Sequence, residues 1–164
     1  DGPTAMASKI AYHVRWIVLA AVILLAGLPM SSTATSLAPI GKANPVIDAV
    51  RSGDTERLSG AMTANPEQIN RADALGRTAL HYAARLGETE ATALLLSAGA
   101  APDPVDGDGY TPLMRAVIFG HTGAAAALLD AGADGDRLLP TGATLLDLAR
   151  EANDPQMRKL FTGP

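Results

Sequence analysis

A 33-residue period is the feature of this 164-residue sequence that most constrains its fold. Four residue types recur in the same order and register, at Gly76, Gly109 and Gly142, at Thr78, Thr111 and Thr144, at Leu80, Leu113 and Leu146, and at Ala83, Ala116 and Ala149. Two further glycine positions keep the period, at Gly87 and Gly120 and at Gly99 and Gly132. Such self-similarity predicts a solenoid of stacked units, in which no single unit buries its apolar face alone.

Each unit has the residue pattern of two short helices. The recurring threonine stands where a helix N-cap is needed, because its hydroxyl can accept a hydrogen bond from a free backbone N–H. Pro112 follows one threonine at the first helical position, where its missing donor costs nothing, and Ala79 replaces it one unit earlier. The leucine and the alanine three residues later share one helix face. The later glycines then end the first and the second helix.

The segments GRTALHYAARLG and GYTPLMRAVIFG resemble ankyrin repeats. The resemblance implies an all-α fold, in which a β-turn and two antiparallel helices form each unit of an ankyrin-repeat solenoid. It assigns two regular units to residues 71–103 and 104–136. Irregular units at 44–70 and 137–164 make about four helix-turn-helix units in all, and an N-terminal apolar helix is expected before them.

The N-terminal segment has the three parts of a secretory signal peptide. The residues before Met6 read as an upstream remnant, and Lys9 and Arg15 precede an uncharged stretch from Trp16 to Leu28. Small residues follow, so cleavage is expected after Ala34. Residues 1–34 are then remnant and signal peptide, residues 35–43 a linker, and the protein is periplasmic.

An uncleaved anchor is the alternative interpretation of this segment. The 15 residues from Trp16 to Met30 are fewer than the roughly 20 that a spanning helix needs. A longer span from Ile10 would include Arg15, whose side chain could reach the interface. In that case the protein is anchored in the inner membrane and faces the periplasm.

Composition and motifs argue against several classes of function. The formal net charge of −4 and the lack of a basic run exclude general nucleic-acid binding. With no cysteine in the chain, disulfides, thiol catalysis and cysteine-ligated metals are excluded. The resemblance implies structural hydrogen bonding for His81 and His121. We therefore expect no catalytic residues, no metal and no cofactor, and no enzyme activity.

The aspartates of the segment DPVDGDGY could be taken for calcium ligands, at Asp103, Asp106 and Asp108. An EF-hand loop needs a further acidic ligand at its twelfth position, and this spacing is not met. The 33-residue register places the segment in the turn between two units, where Asp and Gly are ordinary residues. A role in the turn is therefore the expectation.

In the ankyrin family the concave surface, formed by turn tips and first helices, is the usual binding face. The resemblance assigns to it eight partner-binding candidates, which are Leu75, Arg77, Arg85, Leu86, Asp108, Tyr110, Ile118 and Phe119. The first unit adds Arg51 and Ser52, and the fourth adds Pro140, Thr141, Ala143 and Glu151. Several of these side chains are larger and more apolar than a solvated face requires.

We expect a binding hot spot on this surface, because tyrosine and arginine are favoured as interface anchors. Its predicted members are Tyr110, Phe119, Ile118 and Arg85, with Arg77 and Asp108 at its edge. The alternative is that Ile118 and Phe119 pack into the next repeat. The predicted function is that of an exported, non-enzymatic module that binds a partner protein of unknown identity. Two other hypotheses are a membrane-anchored accessory or assembly subunit and an accessory protein of a periplasmic enzyme.

Overall fold

The computed structural model describes residues 44–162, and all regular secondary structure in this range is helical. Eight α-helices form four pairs, namely α1 (Pro45–Ser52) with α2 (Thr55–Ala64), α3 (Ala79–Leu86) with α4 (Thr89–Ser97), α5 (Pro112–Ile118) with α6 (Thr122–Asp130), and α7 (Leu145–Glu151) with α8 (Pro155–Thr162). A 3-10 turn at Pro66–Gln68 follows α2. These helices confirm the predicted all-α solenoid. The predicted N-terminal helix, signal peptide and linker lie outside the described residues.

The helices stack in two layers. The first helices α1, α3, α5 and α7 pack in succession, and the second helices α2, α4, α6 and α8 form a parallel row behind them. Two or three residues connect the helices of a pair, a length that makes them antiparallel neighbours. Each pair therefore buries its apolar face against the pairs before and after it.

Small residues let the two layers approach closely. Seven fully buried alanines lie on the helices of the three pairs from α3 onward, at Ala79, Ala83, Ala84, Ala116, Ala124, Ala125 and Ala149. Leucines fill the space between them, and Leu80, Leu95, Leu113 and Leu128 are at most 1% exposed. A core of this kind needs few aromatic residues, which agrees with the 4% in the sequence.

Polar caps fix where the first helices begin. The hydroxyls of Thr111 and Thr144 accept hydrogen bonds from the backbone N–H groups of Met114 and Asp147. In the irregular first unit Asn44 takes this role, since its Oδ1 accepts from Val46 N. The Asn44 amide also donates to the carbonyl oxygen of Arg71, 27 residues away, and so ties α1 to the next turn. Thr78 also stands at the N-cap of α3, but its hydroxyl contacts His81 Nδ1 at 3.1 Å rather than a backbone N–H. The predicted cap hydrogen bond is therefore made by Thr111 and Thr144.

The turns between pairs repeat one hydrogen-bond pattern. In each, the residue that opens the turn exchanges backbone hydrogen bonds with residues three and four positions later, and these openers are Asp73, Asp106 and Leu139. The first two turns are also joined directly, because Gly107 N donates to the Leu75 carbonyl at 2.9 Å. A Cβ on Gly107 would lie 2.8 Å from that oxygen. In the last turn Pro140 stands at the Gly107 position and has no N–H to donate.

The recurring leucine of the first helices is less buried in the last unit than in the two regular units. Leu80 and Leu113 are buried as expected, but their counterpart Leu146 is only half-buried and Leu145 is the fully buried residue. The next pair closes over Leu80 and Leu113, whereas no further pair follows α8 among the described residues. The register fixes which residue is equivalent, and the neighbouring unit decides whether that residue is covered.

Candidate functional site

Each of the first two turns is organised around an aspartate. Asp73 Oδ1 accepts hydrogen bonds from the backbone N–H groups of Leu75 and Arg77, at 2.8 and 3.0 Å. Asp106 Oδ1 accepts from Asp108 and Tyr110 in the same way, both at 3.0 Å. The second oxygen of each carboxylate therefore remains for a side chain of the following first helix.

The first helices supply different partners for these two oxygens. In α3 the Tyr82 hydroxyl donates to Asp73 Oδ2 at 2.6 Å. In α5 the equivalent residue, 33 positions later, is Arg115, whose guanidinium donates to Asp106 Oδ2 through Nε and Nη2. Tyr82 and Arg115 were not among the predicted site residues. The 33-residue register shows that the two positions are equivalent, but it does not show that either side chain reaches a turn carboxylate.

Arg115 is the centre of what we call the turn cluster, formed with Arg77, Asp106, Asp108 and Tyr110. Its Nη2 also donates to Asp108 Oδ2 at 2.9 Å, and Arg77 Nη2 donates to the same oxygen at 3.0 Å. The Arg115 guanidinium lies 4.4 Å from the centroid of the Tyr110 ring. Two arginines and two aspartates thus balance in charge and fix the turn to α5.

The carboxylates of the turn cluster are stabilised in their ionised form. Burial of the Asp106 side chain opposes ionisation, but the Tyr110 N–H and the Arg115 guanidinium outweigh it and lower the pKa of this carboxyl. Hydrogen bonds from Arg115 and then Arg77 lower the pKa of Asp108 as well. The cluster therefore keeps its ion pairs at neutral pH, and Asp106 and Asp108 act in the turn, where the register placed them.

A second group of predicted residues is apolar and exposed. Leu86 at the end of α3 is 44% exposed, and Ile118 and Phe119 at the end of α5 are 42% and 50% exposed. The Arg85 guanidinium lies 6.0 Å from the centroid of the Phe119 ring. Exposure of this extent contradicts the alternative in which Ile118 and Phe119 pack into the next repeat. We call Leu86, Ile118 and Phe119 the apolar group.

The predicted residues therefore fall into two sets rather than one hot spot. Arg77, Asp108 and Tyr110 belong to the turn cluster, where Arg115 holds them together. Arg85 contacts Phe119, next to the other members of the apolar group. Leu75, at the tip of the first turn, is 55% exposed. The turn cluster is held together by ion pairs among its own side chains, whereas the side chains of the apolar group are exposed to solvent.

A protein-family model described as ankyrin repeats, in three copies, matches residues 46–138. This range is more than half of the sequence. It begins at the second residue of α1, covers the rest of the first three helix pairs and the turns between them, and ends one residue before Leu139. The chain belongs to the ankyrin-repeat family. A comparison with curated proteins finds no match. The ankyrin repeats indicate a protein–protein interaction module, and the family is typically non-enzymatic.

The histidines of the ankyrin repeats make the structural hydrogen bonds that the resemblance implied. His81 Nδ1 accepts from the Thr78 backbone N–H at 3.1 Å, and its Nε2 is 3.0 Å from the Tyr110 carbonyl oxygen. His121 Nε2 is 3.0 Å from the carbonyl oxygen of Arg85, in the preceding ankyrin repeat. Both imidazoles thus link consecutive repeats.

A cavity in the ankyrin domain lies away from the predicted binding residues. An open cavity of about 280 Å³ lies at the fourth helix pair, between Leu129, Leu146, Leu160 and Phe161, with Asp136 and Thr144 at its edge. None of the eight predicted binding residues lines it. Within residues 44–162, no group of three or more histidine or acidic side chains could hold a metal ion, and no helix is long and apolar enough to cross a membrane.

Proposed function

We propose that this protein is an exported, non-enzymatic module that binds a partner protein on the first-helix face of its ankyrin repeats. We define the first-helix face as the exposed side of α1, α3 and α5, which carries the apolar group, Arg85 beside Phe119, and Arg51 beside Tyr82. The observation that carries the proposal is the joint exposure of Leu86, Ile118 and Phe119 on adjacent first helices. Contiguous exposed apolar side chains that are rimmed by arginine are typical of protein interfaces.

The turn cluster supports this surface mechanically. Its ion pairs and backbone hydrogen bonds hold the turn between α4 and α5, and this turn sets the position of α5. A rigid platform loses little conformational entropy when it binds, so its exposed side chains contribute more of their contact energy to affinity. Arg77, Asp108 and Tyr110 thus position the face, and the apolar group contacts the partner.

Site-specific photocrosslinking tests the binding face. A photoreactive amino acid at position 119 should crosslink a discrete partner in cells that express the full chain. The matched control is the same amino acid at position 93, where Ala93 is exposed on the second helix α4. Equal crosslinking from both positions would show that the first-helix face is not the binding surface.

Export to the periplasm is supported by the N-terminal sequence pattern, with Lys9 and Arg15 before the apolar stretch that ends at Leu28. The alternative is an accessory or assembly subunit of a larger complex, anchored in the inner membrane by this stretch. Intact mass of the protein from the periplasmic and membrane fractions separates the two. A soluble species that begins at Thr35 supports export with cleavage, and a membrane species that keeps Trp16 supports the anchor.

A further inference from the structure

Charge on the first three pairs of ankyrin helices is segregated by layer. The first helices α1, α3 and α5 carry three arginines and one acidic residue, Asp48. The second helices α2, α4 and α6 carry three acidic residues and one arginine, Arg57. The fourth pair does not follow this pattern, because α7 carries Asp147, Arg150 and Glu151 while α8 carries Arg158 and Lys159. The first-helix face, formed by α1, α3 and α5, therefore has an excess of arginine on a chain whose formal net charge is −4.

The three arginines of the first helices differ in how they are paired. Arg115 is neutralised within the turn cluster. Among residues 44–162, neither Arg51 nor Arg85 forms an ion pair within 4 Å. Each of their guanidinium groups instead lies over an aromatic ring of the next repeat, 5.8 Å from the Tyr82 centroid for Arg51 and 6.0 Å from the Phe119 centroid for Arg85.

These cation–π contacts order the arginines and leave their donors available. The attraction uses the face of the ring and the charge of the cation, and it does not consume the N–H groups at the edge of the guanidinium plane. An arginine held in this way is prepared for a carboxylate, which accepts two parallel N–H donors. The apolar group lies beside the second of the two arginines, at the ends of α3 and α5.

We propose that the occupant of the first-helix face is an acidic, extended segment of a partner protein, whose carboxylates pair with Arg51 and Arg85 and whose apolar side chain packs on Ile118 and Phe119. This inference rests on the proposed function and specifies the chemistry of its partner. Adjacent packed helices lie about 8–10 Å apart, and an extended chain rises about 3.3 Å per residue. The segment therefore carries two acidic residues about three positions apart and a large apolar residue about three positions beyond them.

Selection of random dodecapeptides by phage display on the full chain tests this proposal. We expect selected peptides with two Asp or Glu residues at this spacing, followed by Leu, Ile or Phe. Fluorescein-labelled copies should bind with an affinity that falls as salt rises, because salt screens the pairing of charges. The double substitution Arg51→Gln and Arg85→Gln should weaken binding roughly tenfold, at the upper range of two exposed ion pairs.

The matched control is the double substitution Arg57→Gln and Arg158→Gln, which removes two exposed arginines from the second helices α2 and α8 and should leave the affinity unchanged. If the selected peptides are neutral or basic and no longer bind the Phe119→Ser protein, the proposal of an acidic partner is overturned. The proposed binding face is then retained. If no substitution on the first-helix face changes peptide binding, both the acidic partner and the proposed binding face are overturned. Failure to select any peptide would overturn the proposal of a linear acidic segment, while crosslinking from position 119 would still support the face.

Discussion

His81 shows how a single buried polar residue can hold two repeats together. The Thr78 backbone N–H can only donate, so the Nδ1 atom that contacts it must be an acceptor. The Tyr110 carbonyl can only accept, so the Nε2 atom must carry the proton. The contacts therefore select one neutral tautomer, and a second proton on Nδ1 would face the Thr78 donor. Burial of the imidazole lowers the pKa of His81.

This lowered pKa predicts a loss of stability in mild acid. The unfolded chain takes up a proton near the ordinary histidine pKa of about 6.5, whereas folded His81 resists it until lower pH. The free energy of unfolding should therefore be highest above about pH 6.5 and should fall as pH drops toward the folded pKa. Urea unfolding at a series of pH values measures this slope, and His81→Gln should flatten it. An equal slope in both proteins would contradict the assignment.

Asn70 and Asp103 occupy equivalent positions 33 residues apart, but the Asp103 side chain forms fewer hydrogen bonds. The Asn70 amide donates to the Gly99 carbonyl, and its oxygen accepts from Ala101 N. Asp103 Oδ2 accepts from Asp134 N, but its buried Oδ1 has no hydrogen-bond partner. The register places the Gly132 carbonyl where the Gly99 carbonyl lies in the earlier turn, and a carboxylate oxygen cannot donate to a carbonyl as the Asn70 amide does.

Asp103→Asn should therefore stabilise the protein. The new Nδ2 donor can bond to the Gly132 carbonyl, and a bond of this kind contributes about 1 kcal/mol to the free energy of unfolding. The reciprocal change Asn70→Asp should lower it by a similar amount. Both are measured by urea unfolding at neutral pH, and a destabilised Asp103→Asn protein would show that the turn is not equivalent to its predecessor.

At the scale of the element, the ends of the first helices place equivalent glycines in different surroundings. Gly87 after α3 and Gly120 after α5 both have a φ angle of +76°. A Cβ on Gly87 would lie 2.5 Å from Nδ1 of His121, whose ring is held by its hydrogen bond to Arg85. No atom lies within 4 Å of the corresponding Cβ on Gly120. The two glycines thus share a backbone conformation, but the space beside Gly87 is filled and the space beside Gly120 is empty.

The substitutions Gly87→Ala and Gly120→Ala separate the cost of packing from that of conformation. Gly120→Ala should lower the free energy of unfolding by about 1–2 kcal/mol, the cost of a left-handed alanine. Gly87→Ala should cost about 1–3 kcal/mol more, because His121 must move. Addition of His121→Ala to Gly87→Ala should recover part of this difference. Equal losses for the two single variants, measured by urea unfolding, would exclude the contact with His121 as a cause.

At the scale of the whole molecule, stability comes from stacking, and the pairs at the two ends of the described range each have one neighbouring pair. The helices α3 to α6 are covered on both sides, whereas within residues 44–162 α1 and α2 pack only against the second pair and α7 and α8 only against the third. The last turn also lacks the aspartate and the direct link to its predecessor, since Leu139 and Pro140 stand at those positions. The last repeat therefore combines a single neighbouring pair with a turn that has fewer hydrogen bonds, so we expect it to unfold locally before the others.

Hydrogen exchange measured by mass spectrometry should therefore show a gradient along the stack. Backbone amides of α8 should exchange at an opening free energy a few kcal/mol below that of α3 and α5, which should exchange only on global unfolding. Met157→Ala, which removes the buried side chain of α8, should accelerate exchange in α8 and leave α3 unaffected. Uniform protection across all four pairs would show that the domain opens as a single unit.

The 33-residue register was sufficient for the fold, because caps, helix ends and small core residues are set by contacts that repeat with the sequence. It also placed the eight candidate binding residues, most of them on the turns and first helices. It could not reveal Arg115, because the sequence does not say which helix residue reaches a given carboxylate. It also left open whether Ile118 and Phe119 are covered, since coverage depends on the size of the residues in the next unit.

The sequence by itself determined a helical ankyrin solenoid, the positions of its caps and the residues that vary on its surface. The tertiary structure alone decided that Arg77 and Asp108 are engaged in a neutral cluster while Arg85 lies over Phe119 and has no ion-pair partner within the described residues. It also decided that Leu145 rather than Leu146 fills the core of the last repeat. The physical reason is the same in each case: local propensity repeats along the chain, whereas burial and charge pairing depend on neighbours that differ from one repeat to the next.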